Sequence, residues 1–195
     1  MKKKKTAFII LTTSYFLITA ADLILTYLAT PDLSLEGNPL VTGYRFGWAG
    51  LLAVNAVTLL LYFVMARYAY VKYRSPLSDE TEDIKRYLAD ISYGDPEKTS
   101  LGMWRLPKYW APQIACLCYS VSTALPFARA VVVVEWFLML NHIRAPFFFS
   151  IVAMFPFGRI DFFIALILAW ILSGVWIKKE FRKNAERKAA QQNNE

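Results

Sequence analysis

Of the 195 residues in this chain, 56% are hydrophobic and 16% aromatic, while only 19% are charged. A soluble domain carries roughly a quarter charged residues. Here the apolar residues gather in runs near the ~20 that cross a bilayer, so a water-soluble domain is excluded. The net charge of +7 would suit nucleic acid, but its placement excludes that partner. Apart from Arg45, Arg129, Arg144 and Arg159, every Lys and Arg falls within residues 2–5, 67–108 or 178–188, each beside an apolar run. Such blocks mark cytoplasmic segments, which also attract anionic lipid. A single histidine, His142, excludes a His-rich metal centre. Cys116 and Cys118 are too close for an easy disulfide and too few for zinc. They read as apolar filling, and neither a metal nor a cofactor is expected.

The first run follows four lysines. Thr19-Ala20-Ala21 offers small residues of the kind a signal peptidase cuts. The run nevertheless continues through Leu23-Ile24-Leu25 to Ala29, long enough to span, and is read as an uncleaved first helix over residues 7–29. Its polar residues Thr12, Tyr15, Thr19, Asp22 and Thr26 are spaced 3, 4, 3 and 4, which puts them on one face. In lipid that face must meet other helices. Asp22 is the costly member, at roughly 2.5–3.5 kcal/mol near mid-bilayer, and needs a partner or a proton.

Pro31 ends the helix. The string Glu36-Gly37-Asn38-Pro39 predicts a tight turn at the membrane surface, with Asn38 as N-cap and Pro39 at the first helical position. A second span over residues 47–70 carries Asn55, Thr58 and Tyr62, a polar stripe able to face the first. Residues 71–109 form a polar cytoplasmic loop. Within it Ile84, Tyr87, Leu88 and Ile91 share one face ahead of Gly94, which predicts a short amphipathic helix lying on the inner leaflet.

The third apolar stretch, residues 110–142, is long for one span. Its favoured reading is a single tilted helix over 112–142, kinked at Pro126. Arg129 and Glu135, six apart within it, do not share a face, whereas Glu135 and His142 do. Residues 143–160, broken by Pro146, Pro156 and Gly158, suit a re-entrant or interfacial loop. The fourth span covers residues 161–177, and the charged, Gln/Asn-rich extension over residues 178–195 is expected to be helical and then frayed.

The expected fold class is therefore all-α: a polytopic membrane protein, a four-helix transmembrane bundle with both termini cytoplasmic, in the plasma membrane. Residues 1–180 form a single transmembrane domain and 181–195 a charged cytoplasmic tail. Five spans would put the basic tail outside, against the charge rule. Six stay open if residues 110–142 and the Phe147 region each split.

Counted at about 1.5 Å per residue, Asp22, Asn55, Arg129 and Glu135 converge on the outer leaflet, with Glu36, Asn141, His142, Arg159 and Asp161 at the outer surface. This predicts an Asp22–Arg129 ion pair beneath a polar cavity roofed by residues 36–39. The candidate binding cluster is Asp22, Thr26, Glu36, Asn38, Asn55, Arg129, Glu135, Asn141 and His142.

The pattern Asp22-x-x-x-Thr26, then Glu36-x-Asn38-Pro39, then a second apolar helix, resembles a family of small prokaryotic integral membrane proteins of unknown function. The similarity covers about residues 15–65. The resemblance implies that Asp22, Thr26, Glu36, Asn38 and Pro39 act as one unit, and lends no activity.

Three uses of the cluster compete. The favoured one is non-enzymatic binding of a membrane lipid, a small ligand or a membrane protein partner. Another is an enzyme acting on lipid head groups, with Asp22 or Glu36 as acid or base, Arg129 holding a phosphate and His142 assisting. The third is a small transporter, although no internal repeat is visible.

Overall fold

The computed structural model describes residues 2–35, 46–101, 106–155 and 160–193. Among these residues the regular structure is helical, and no strand occurs. The helices are α1 (Lys2–Ala29), α2 (Gly47–Arg67), α3 (Ile84–Tyr93), α4 (Ala111–Leu140), α5 (Pro146–Ala153) and α6 (Ile160–Gln192). Four of them are long and apolar enough to cross a membrane: α1, α2 with its continuation to Lys72, α4 and α6. The long third stretch is one helix, which removes the six-span alternative at that point. Large apolar side chains such as Leu60, Ile167 and Trp170 stand more than half exposed on the outside of the bundle, the expected arrangement where lipid is the solvent.

The core lies along the two polar stripes. Tyr15, Thr19, Asp22 and Thr26 on α1 and Asn55 and Tyr62 on α2 are all buried. Tyr15 and Tyr62 stack with ring centres 4.0 Å apart. α4 packs along both α1 and α6, and α2 sits beside α1 and α4. Between α4 and α6 the hydroxyls of Ser120 and Ser173 lie 2.9 Å apart, and Trp176 packs in a cluster with Ala115.

α4 runs unbroken through Pro126. Proline has no N–H, so the carbonyl of Ser122, four residues back, loses its helical donor. The phenol of Tyr62 on α2 donates to that carbonyl at 2.9 Å and also lies 3.1 Å from the Leu11 carbonyl of α1. One side chain thus ties three helices at the point where α4 is weakest.

The start of α1 and the far end of α6 lie at one end of the bundle, where Lys4 is near Glu180 and Lys183. α2 closes there in a π-turn, Tyr68–Lys72, with Tyr73 N–H donating to the Tyr68 carbonyl at 2.8 Å. α3 forms where its sequence predicts. Asp83 caps it by accepting from Lys85 N–H at 2.7 Å, and Gly94 ends it at φ +69°, a conformation that favours glycine.

Its environment differs from the expectation. The apolar face of α3 is covered by protein: Tyr87 is fully buried and meets the ring of Phe181 at 5.4 Å, and Ile91 is buried as well. The cause is α6, which runs on from residue 177, where the span was expected to stop, to Gln192. At 1.5 Å per residue it is about 50 Å long, against ~30 Å of hydrocarbon. The surplus length offers α3 a protein surface.

Asn184 on that surplus is the pin. Its carboxamide oxygen accepts from Ser78 N–H at 2.9 Å, and its nitrogen donates to the carbonyls of Ser78 and Glu80 at 3.0 and 2.9 Å. At about 1 kcal/mol per bond, Asn184→Ala should raise the rate of proteolysis within residues 75–83 roughly tenfold or more. The melting of the transmembrane helices should stay in place. A shift of that melting in step with proteolysis would mean the segment is part of the bundle's cooperative core.

Candidate functional site

At the end of the bundle away from the termini, α1, α2, α4 and α6 leave a cavity of about 420 Å³. Its charged lining comes from three helices: Asp22 on α1, Arg129 and Glu135 on α4, and Asp161 in the first turn of α6. Thr26, Asn55 and Thr58 add polar atoms, and Tyr15 and Trp136 add aromatic surface.

The expected ion pair is present. Arg129 Nε and Nη2 donate to Asp22 Oδ2 at 3.1 and 2.7 Å. Nη2 also donates to Asn55 Oδ1, so the carboxamide of α2 closes a junction between three helices. The local chemistry orients each member. Asn55 commits its own N–H₂ to the Leu51 carbonyl at 2.9 Å, which turns its oxygen toward Arg129. Thr26 donates back to the Asp22 carbonyl at 2.8 Å, shielding the helix backbone beside the carboxylate. The Tyr15 ring lies under the guanidinium, 6.0 Å from its carbon, adding a cation–π contact.

Arginine has five N–H donors. Nε and Nη2 are engaged here, and Nη1 has no hydrogen-bond partner among the described residues. The guanidinium is therefore held by one edge at the wall of the cavity, with donors left on the other. This arrangement can take an anionic oxygen group without breaking the pair that positions it.

The mouth is framed by the turn after α1. Asp32 accepts from Ser34 N–H, Ser34 Oγ and Thr30 Oγ at 3.1, 2.8 and 3.0 Å. Those donors, Ser34 first, hold its carboxyl below the ordinary range. Leu33 takes φ +60° and is buried against Leu51, and Trp48 Nε1 donates to the Pro31 carbonyl at 2.7 Å. The turn is thereby fastened to the start of α2.

Of the residues expected in the cluster, Asp22, Thr26, Asn55, Arg129 and Glu135 meet at the cavity. Glu36 and Asn38, with Pro39, lie outside the described residues, as does the roof they were expected to form. Asn141 and His142 stand outside the cavity. α4 ends at Leu140, so His142 leaves the helical face it was expected to share with Glu135; it turns away at φ +50° and is exposed. Asn141 donates to the Phe137 carbonyl at 2.9 Å, closing the helix end.

Sequence reasoning left Tyr15, Thr58, Trp136 and Asp161 out of the cluster. Tyr15 and Thr58 already belonged to the two stripes. Asp161 was placed only at the surface; antiparallel pairing of the third and fourth spans puts it at the level of Glu135 and would have found it.

No family model matches the chain, and no curated protein or solved structure matches it significantly.

Proposed function

We propose that this protein is a ligand-binding bundle of the plasma membrane, with both termini cytoplasmic and the cavity facing outward. The basic residues clustered at the terminal end support that orientation through the positive-inside rule. The ligand is a lipid head group or a small molecule bearing an anionic oxygen, and Arg129 anchors it. The observation that carries the reading is the guanidinium pinned by Asp22 and Asn55 at the wall of a 420 Å³ cavity, with Nη1 left over. A positioned donor beside a cavity of that size is the usual makeup of a small-molecule site. An enzymatic use has less to draw on, because His142 stands apart from the cavity. The resemblance to the D-x-x-x-T and E-x-N-P family fits this reading, since Asp22 and Thr26 are adjoining parts of the anchor.

The test is native mass spectrometry of the detergent-purified protein, wild type beside Val132→Phe. Val132 lines the cavity, so a phenyl ring there takes up its space while leaving Arg129, Asp22 and Asn55 unsubstituted. Wild type should retain a lipid or metabolite that Val132→Phe loses at least tenfold, at similar thermal stability. An empty wild type, with added lipid binding both proteins equally, would overturn the reading.

A further inference from the structure

We propose that the bundle holds a lipid at its terminal end as well: an anionic phospholipid bearing two phosphates, seated on Lys4, Arg74 and Lys179. This site is separate from the cavity and does not rest on the reading given for it.

Three chain segments meet there. Lys4 stands in the first turn of α1, Arg74 follows the π-turn, and Lys179 and Lys183 lie one turn apart on α6. Lys4 is close enough to interact with the charges of Lys183, Glu180 and Arg74, and Lys179 with those of Lys183, Glu180, Lys4 and Arg182. Glu180 is the one carboxylate in both sets. It is buried, 5% exposed, and Lys183 donates to its Oε1, so it is already neutralised. Arg182 pairs with Glu186 at 3.8 Å. Lys4, Arg74 and Lys179 are exposed and make no ion pair with any described residue.

Three cations gathered in this way repel one another until an anion joins them. A lipid with one phosphodiester offsets one of the three, and a lipid with two offsets two in a single binding event. Basic pockets between membrane helices recognise such head groups. The place suits a lipid more than a free phosphate. α1 turns apolar at Ala7 and the apolar run of α6 ends at Ile177, so Lys4 and Lys179 stand at the edge of the hydrocarbon. Val175 and Ile171 lie four and eight residues before Lys179 on the same face of α6, and are 48% and 50% exposed. They give acyl chains an apolar ridge that starts one turn from the ammonium. The ring of Tyr119 on α4 lies 5.5 Å from Lys179 Nζ and helps hold that ammonium in place.

The full-length protein in nonionic detergent is titrated with cardiolipin, which has two phosphates, and with phosphatidylglycerol, which has one, and the complexes are counted by native mass spectrometry. Cardiolipin should bind at least tenfold more tightly, well beyond the twofold that counting phosphates would give. The double variant Lys4→Gln, Lys179→Gln should erase that preference at unchanged melting temperature. Should that variant melt lower, the single changes Lys4→Gln and Lys179→Gln decide, each expected to weaken cardiolipin about threefold. Lys85→Gln, Lys98→Gln removes as much charge from α3 and the segment after it, and should leave cardiolipin binding in place. Equal binding of the two lipids would overturn the proposal. So would an equal loss in the Lys85→Gln, Lys98→Gln protein, which would show attraction to overall charge. A preference kept when Lys4 and Lys179 are replaced, or lost in Val132→Phe, would overturn it by placing the lipid elsewhere, in the second case at the cavity.

Discussion

Arg129→Met should lower the stability of the bundle by about 3–5 kcal/mol, and Asp22→Asn by a similar amount. Each change leaves one charge buried without its counter-ion, at a depth where a charge is costly. The pair is well enclosed, with side chains 18% and 12% exposed. The double variant should cost less than either single change, because a neutral pair has no stranded charge to solvate. Sodium dodecyl sulfate titration in mixed micelles would read all three. Single losses under about 1 kcal/mol that simply add would show that water reaches the pair and that it does not hold the helices together.

Tyr62→Phe should cost about 1–3 kcal/mol, a large effect for the loss of one oxygen. Most interhelical hydrogen bonds in membranes contribute about 0.6 kcal/mol, because the separated helices find other partners. The Ser122 carbonyl has no such substitute, since Pro126 removes its helical donor. Pro126→Ala supplies that donor. In the Pro126→Ala background the cost of Tyr62→Phe should fall toward the ordinary value. A cost unchanged by Pro126→Ala would place the importance of Tyr62 in its ring stacking on Tyr15 instead.

The span count and the facing stripes were legible from spacing alone. In lipid, polar residues at 3 and 4 intervals can face only other helices, and Tyr15, Thr19, Asp22 and Thr26 are buried accordingly. Asp22 and Arg129 were paired by depth, which the constant helical rise makes readable. Other features depend on where helices end, which spacing does not report. His142 left the cluster because α4 stops at Leu140. α3 is covered because α6 continues to Gln192; a helical extension from residue 178 was expected, but its charged, Gln/Asn-rich composition gave no sign that it would carry a protein surface. Asn184 was invisible for the same reason: a lone Asn among charged residues carries no periodic signal, and only the docked segment gives it partners.

α6 is also one continuous helix. Asp161 and Ala165 at one end line the cavity, while Asn184 at the other holds the segment that contains Ser78 and Glu80. No break interrupts Ile160–Gln192. The helix that lines the cavity at one end of the molecule is thus the same one that holds residues 78–80 at the other.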